Sequence, residues 1–491
     1  MRTTRLKRKA LAWVSGPALL LAGAGAAGAD TETAGKVPIT TNSEEARELY
    51  LKGRDLAEKL RATDARALLE QAVAKDKDFA TAYLALAGTA GTAKEFFDSV
   101  NRAVAAASKV SKPEQDQILG LEAGVKGNPL GQKARYSSLV QSFPNDERAH
   151  NLLGGYYFGQ QDYTEAVEQY KKATAINPSF SQPYNQMGYA YRFLGKYDEA
   201  EAAFKKYIEL IPDDPNPYDS YAELLMKTGR FEDSIAQYKK ALSHDANFIA
   251  SYIGIGVDYM LMGRYDDARG SFGALTQHAR NDGERRQALF WTASSYVHEG
   301  AHDKALETIG KEYAIAEKIA DGASMSGDLN LMGEILLNAG KPDQALEKYK
   351  LCVQAMDKAN VPQEVKEATR RNLLWDEARV ALAKEDLETA KAKSAEYAKQ
   401  VAVKAIPFEV RQQHELAGLV AMADKDYEKA AAELARGNQQ DPRVLYNLGL
   451  ALQGKGDAQP ARETLGRAAN FNGLNFNYGY VRKKAQQALK S

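Results

Sequence analysis

His298, Glu299 and His302 form the sharpest chemical pattern in this chain. Two histidines four residues apart can hold zinc from one face of a helix. The glutamate beside the first then takes a proton from the bound water, which is the chemistry of metal-assisted peptide hydrolysis. That geometry needs an unbroken helix, and Gly300 stands inside the motif where it weakens one. The extended pattern, with a glycine and a third histidine further on, is absent, since Ala305 and Thr308 occupy those places. A second pattern runs from Gly449 to Gly456 and nearly matches a phosphate-binding loop. It ends in Gly456 where a magnesium-holding hydroxyl is needed, and no strand precedes it. His150, His244, His278 and His414 are scattered. Cys352 is the only cysteine, so no internal disulfide forms, and its place in the sequence predicts a buried thiol. The residues predict no catalytic centre, no bound metal and no cofactor.

The elements that would position such residues repeat every 34 residues. With residue 147 as position 1, Leu153, Gly154 and Tyr157 stand at positions 7, 8 and 11, and Ala166, Tyr170, Ala173 and Pro178 at 20, 24, 27 and 32. The unit from 181 places Met187, Gly188, Tyr191, Ala200, Phe204, Tyr207 and Pro212 there. Units from 215 and 249 keep the spacing without a slip. Small residues at positions 8 and 20 let two helices approach, while ring-bearing and aliphatic side chains at 7, 11 and 24 fill the seam. Gly195 and Gly229, at position 15, suit a turn with positive φ. One helical pair cannot bury its apolar face alone, so neighbours must stack.

This pattern resembles the tetratricopeptide repeat family, firmly over 147–282 and more loosely over 44–146 and 283–470. Units near 46, 80 and 113 precede the firm stretch, and units near 286, 326, 371, 411 and 442 follow it. The resemblance implies an all-α, α-α superhelical solenoid of about a dozen hairpins. In this register Gly300 aligns with Gly263 and His302 with Tyr265, so the zinc-like motif straddles a turn. Gly449 and Gly456 fall on positions 8 and 15. Arg370-Arg371 and Arg482-Lys483-Lys484 read as solvated helix faces. Residues 471–491 read as a turn and a capping helix with a charged face.

The resemblance further implies that the first helix of each unit lines a concave groove, exposing positions 2, 5, 9 and 12. These give Arg148, Asn151, Gln182, Asn185, Tyr189, Arg192, Asn216, Asp219 and Glu223 as peptide-groove candidates. Further along, Ile253, Val257 and Met260 are expected to offer aliphatic anchor points. A groove of this kind takes a protein or peptide.

Residues 1–29 carry a basic start, an apolar stretch from Ala10 to Leu21 and the small-residue end Ala27-Gly28-Ala29, the layout of a cleavable secretory signal. Residues 30–43 are polar and read as a flexible leader. The whole chain has 65 basic and 65 acidic residues, and removing 1–29 leaves 60 and 65, a net of −5. A weakly acidic chain argues against nucleic acid and anionic membrane as partners. The sequence therefore predicts an exported, periplasmic or secreted, non-catalytic scaffold for a protein or peptide, with no membrane span after signal removal. Two other readings are a zinc peptidase using His298, Glu299 and His302, and a structural part of an envelope complex.

Overall fold

Each hairpin closes where a small residue at position 8 of its first helix meets position 24 of its second. Ideal Cβ atoms on Gly154, Gly188, Gly256 and Gly333 would lie 2.2–2.5 Å from ring carbons of Tyr170, Phe204, Phe272 and Tyr349. Gly53, Gly418 and Gly449 make the same approach to Leu69, Leu434 and Leu465. The contact therefore recurs in the looser units as well as the firm ones. No larger side chain fits without pushing the two helices apart.

The computed structural model describes residues 35–490. Their helices follow one another as α1 (Glu44–Glu58), α2 (Ala62–Lys75), α3 (Ala80–Gly88), α4 (Ala93–Ala106), α5 (Lys112–Val125) and α6 (Pro129–Ser142). The firm repeats form α7 (Glu147–Gly159), α8 (Tyr163–Ile176), α9 (Gln182–Phe193), α10 (Tyr197–Leu210), α11 (Pro215–Lys227), α12 (Phe231–His244), α13 (Ile249–Leu261) and α14 (Tyr265–His278). Longer helices follow: α15 (Asp282–Glu299), α16 (His302–Lys318), α17 (Gly322–Asn338), α18 (Pro342–Lys358), α19 (Gln363–Ala383) and α20 (Leu387–Lys404). The last are α21 (Pro407–Ala423), α22 (Tyr427–Leu434), α23 (Pro442–Lys455), α24 (Ala458–Ala469) and α25 (Tyr478–Ala488). The described residues form an all-α solenoid without a strand. The signal-like segment 1–29 lies outside the described residues.

The turn at position 15 is left-handed in every unit read from the sequence except the one at 80. Leu60, Gly127, Gln161, Gly195, Gly229, Gly263, Gly300, Gly340, Glu385, Lys425 and Gly456 all have positive φ. Gly300, at φ 93, ends α15 and separates it from α16. His298 and His302 therefore sit on different helices, and the continuous helix that zinc ligation needs is interrupted. His298 is buried, its ring meeting Tyr478 at a 6.0 Å centroid distance, and burial lowers its pKa to about 3. Gly449 lies within α23 and Gly456 forms the turn after it.

Odd-numbered helices from α7 to α13 contact both their hairpin partner and the next odd helix, so that α7, α9, α11, α13 and α15 stand side by side on one side of the stack, its inner side. Residues 36–42, expected within a flexible leader, are tied down instead. The backbone N–H groups of Val37 and Thr40 donate to Asp146 and Glu114 at 2.7 Å, and the Thr41 hydroxyl donates to Asp76 at 2.6 Å. Carboxylates near helix ends supply the acceptors that this polar strip needs. Early helices also meet much later ones. Thr63 donates to Glu284 at 2.6 Å, Arg280 pairs with Asp64 at 2.8 Å, and Gln161 donates to Asn438 at 3.1 Å. Gly283 packs so tightly that an added Cβ would lie 2.3 Å from the Gly91 carbonyl oxygen.

Replacing Gly256 by Ala forces a methyl against Phe272. The expected loss is about 1–3 kcal/mol in urea unfolding. The same change at Gly263, whose added Cβ meets nothing within 4 Å, strains only the turn and should cost about 1–2 kcal/mol. Gly256→Leu, which no side-chain shift can absorb, should unfold the hairpin, as read by loss of helical circular dichroism.

Candidate functional site

The inner-face candidates are largely bonded to one another. Asn151 donates to Gln182 at 2.8 Å, joining position 5 of one repeat to position 2 of the next. Tyr189 donates to Glu223 at 3.0 Å, and Arg192 donates to the other oxygen of the same carboxylate at 3.0 Å. Arg148 reaches back to both oxygens of Glu58 at 2.7 and 2.9 Å. Asn216 donates to the Tyr207 hydroxyl at 2.6 Å, and Asp219 accepts from Ser251 at 2.7 Å.

Three groove candidates are not exposed at all. Asn185 and Asn216 are each 2% exposed and Asp219 is 5% exposed. The next inner helix covers positions 2 and 5, because α9, α11 and α13 pack side by side. Ile253, Val257 and Met260 are buried too, in one core cluster with Tyr478, Tyr480 and Val481. The C-terminal helix α25 packs on α15, α23 and α24 and brings Tyr478, Tyr480 and Val481 into the same core as the apolar stretch that an aliphatic partner was expected to use. The chain fills that part of its own interior.

Burial sets the electrostatics of what remains. Burial and the neighbouring Glu223 push Asp219 up to about 8. Further along the inner face, both oxygens of Glu334 accept from Arg379, one of these bonds being 2.9 Å, and one also accepts from Arg443 at 3.0 Å. The Tyr349 hydroxyl donates to Glu334 at 3.1 Å. The Arg379 guanidinium lies 4.2 Å from the Trp375 ring centroid. Against the pull of burial, these partners hold Glu334 down at about 2. Arg371, read from sequence as solvated, is buried and pairs with Glu409 at 2.7 and 3.2 Å. The buried Cys352 thiol touches the Ser326 hydroxyl at 3.1 Å, and burial raises it to about 11.

One part of the inner side stays open. A cavity of 560 Å³ lies between the turn ends of α8 to α11 and the loop from Asn470 to Asn475. Arg192 and Glu223 line it, alone among the groove candidates, and Lys227 and Arg467 join them. Leu194, Tyr197 and Leu474 stand around it with 37%, 40% and 39% exposure. They are three of only eight large hydrophobic side chains exposed among the described residues. Tyr163 and Phe193 stack behind them at 4.8 Å.

Sequence comparison accounts for the repeats. Family models described as TPR repeat or tetratricopeptide repeat match residues 154–192, 181–214, 216–248 and 254–323. Residues 154–323 are tetratricopeptide repeats. Similar solved structures include MamA, at 22% identity over 34% of this chain and 91% of that one, with a TM-score of 0.29. A tetratricopeptide repeat protein from Parabacteroides merdae ATCC 43184 shares 15% identity over 54% of this chain and 99% of its own, with a TM-score of 0.37. YrrB, described as a TPR protein with an unusual peptide-binding site, shares 19% identity over 37% and 91%, with a TM-score of 0.26. No curated protein matches the sequence.

The tetratricopeptide register holds a signal that the groove assignment left unused. Glu334 and Arg379 stand at position 9 of the units from 326 and 371, and Arg443 at position 2 of the unit from 442. Extending the inner-face positions into the looser repeats finds this charged cluster. Lys227 and Arg467 lie outside those positions, and only the fold brings them together.

Two measurements test these assignments. Glu334→Ala strands two buried guanidinium groups and should cost about 3–5 kcal/mol in urea unfolding. Asp219 holds a proton in the folded state up to about pH 8, whereas the unfolded carboxyl releases it near pH 4. Its contribution therefore falls as pH rises between those values, by at most about 1.4 kcal/mol per pH unit. Asp219→Asn should flatten the stability profile between pH 5 and pH 7.5, and unchanged slopes would refute the assignment.

Proposed function

We propose that this protein is a non-catalytic, exported scaffold that captures a protein or peptide at the open cavity of its inner side. The observation that carries this reading is the cluster of Leu194, Tyr197 and Leu474 around a 560 Å³ opening. Exposed apolar side chains gathered at a cavity lose water when a partner docks, and that burial drives association. The repeats support a protein or peptide as the partner. Of the groove candidates, Arg192 and Glu223 serve at this cavity, while the others hold neighbouring helices in place. Export rests on the basic, apolar and small-residue order of residues 1–29.

The test is crosslinking of the full chain in its own cells, followed by identification of the captured protein. Leu194→Asp together with Tyr197→Ser should cut the specific crosslink by about tenfold, the effect of losing one or two apolar anchors. Lys205→Ala, on an exposed outer face, should leave it intact. Equal crosslinking by all three proteins would remove the cavity as the docking place. N-terminal sequencing of the exported protein should begin after Ala29, and a cytosolic chain retaining residues 1–29 would remove export.

A further inference from the structure

Lys227 is the last residue of α11 and lines the cavity without an ion pair to a carboxylate. Its ammonium donates to the backbone carbonyl of Phe471 and lies 4.3 Å from the Phe471 ring centroid. An ammonium has three donors, and these contacts leave part of that capacity free. Two positive charges bear on it, Arg192 from α9 and Arg467 from α24. Glu223, the one carboxylate lining the cavity, already accepts from Arg192 and Tyr189. Among the described residues neither Lys227 nor Arg467 forms an ion pair. Elsewhere on the inner side, Glu334 serves Arg379 and Arg443, Glu409 serves Arg371, and Asp328 serves Arg286. Arg411 and Arg482 also lack an ion pair, so what sets the cavity apart is that two such cations meet there beside an apolar rim. On the same wall the Asn475 side-chain oxygen is buried and accepts no hydrogen bond. Cations without a counter-charge, an unmatched acceptor and an apolar rim describe the complement of one ligand type.

We propose that the cavity receives a peptide segment carrying a carboxylate beside an apolar side chain. Lys227 and Arg467 hold the carboxylate, Asn475 accepts a peptide N–H, and Leu194, Tyr197 and Leu474 cover the apolar neighbour. This deepens the scaffold reading above and rests on it, by giving the partner a chemistry. Charge-assisted hydrogen bonds in a partly desolvated site are the strong ones, so the carboxylate supplies specificity while the apolar contact supplies area. The carboxylate comes from an acidic side chain or from a chain end, and the two sources share this chemistry.

The experiment titrates the full chain with fluorescein-labelled octapeptides. One alternates Leu and Glu with an amidated end, the second alternates Leu and Gln with an amidated end, and the third is the Leu/Gln peptide with a free carboxylate. The Glu peptide should bind about tenfold or more tightly than the amidated Gln peptide. If the free-acid Gln peptide binds as well as the Glu peptide, a chain end is the source; if only the Glu peptide binds, it is a side chain. Lys227→Met should bring the Glu and Gln peptides to within about twofold of each other without lowering the melting temperature, since it removes a half-buried charge that has no ion pair. The preference should also shrink from about pH 7 to about pH 9. Lys227, lowered to about 8 by burial and by Arg192 and Arg467, loses its proton over that range while both arginines stay charged. Should Lys227→Met fail to fold, Arg467→Glu on the exposed rim carries the same test. Equal affinity for Glu and Gln peptides, or a preference that survives both changes, overturns the proposal. If the peptides bind alike while Leu194→Asp abolishes the cellular crosslink, the carboxylate chemistry falls and the docking place stands. The opposite pair of results keeps the carboxylate site and removes it as the partner's seat.

Discussion

The approach of a glycine at position 8 to a ring or leucine at position 24 governs this structure. It fixes the distance between the two helices of a hairpin to within a methyl group. In the looser units it survives where most of the pattern has gone: Gly120 against Tyr136, Gly333 against Tyr349, Gly449 against Leu465. Helix lengths vary widely, from the 8 residues of α22 to the 21 of α19. The contact tolerates this because its offset from the turn is fixed, and extra turns of helix are added at the far ends. Eleven left-handed turn residues keep the same offset from it. Four of them, Leu60, Gln161, Glu385 and Lys425, lack glycine's freedom, so packing holds them in a conformation that costs about 1–2 kcal/mol each.

Once hairpins stack at a fixed distance, the inner helices stand close enough for side chains 31 or 34 residues apart to bond. Asn151 and Gln182, Arg192 and Glu223, and Tyr189 and Glu223 are such pairs. A polar residue on the inner face is therefore not free for a ligand merely because it faces inward. Its neighbour in the next repeat competes for it, and that neighbour is always present. The same closeness removes water, which explains why Asp219 rises and Glu334 falls. Both are buried carboxylates on inner helices, but Glu334 is clasped by two guanidinium groups while Asp219 has one hydroxyl and a like charge nearby.

How much of this the sequence carried follows from the range of each interaction. Gly154, Gly188, Ala166 and Tyr170 act within one hairpin, so spacing alone identified the helices and the turn at Gly300. The family resemblance assigned Arg148 to Glu223 to the inner side, and in the structure Asn151 bonds Gln182 and Arg192 bonds Glu223 between successive repeats. Exposure was another matter. Asn185, Asn216 and Asp219 are covered by the adjacent repeat. Ile253, Val257 and Met260 are buried in a core that also takes in a helix beginning more than two hundred residues later, at Tyr478. Nothing near Val257 in the sequence announces Tyr480. The strip from Val37 to Asn42 was misread for the same reason, because its acceptors Asp76, Glu114 and Asp146 lie 34 to 109 residues away. Arg371 looked like half of a basic surface pair, and only its distance from Glu409 shows otherwise.

The contrast between Lys227 and Arg443 separates structure from function in this interior. Both are cations set against the inner side by the fold. Arg443 reaches Glu334 and Asp441, so its burial is compensated and removing either carboxylate weakens the fold. Lys227 has a carbonyl and a ring, and its charged neighbours repel it. A half-buried charge without a counter-charge costs more than one hydrogen bond to a carbonyl returns, so stability alone favours a methionine there. A residue that the fold would be better without is explained by something the fold does not contain. Natural proteins sit above a stability threshold wide enough to carry such a residue, and binding sites are where they carry it. The exposed apolar side chains beside Lys227 repeat the argument with a different force, since Leu194 and Leu474 also cost free energy in water and gain it only when covered.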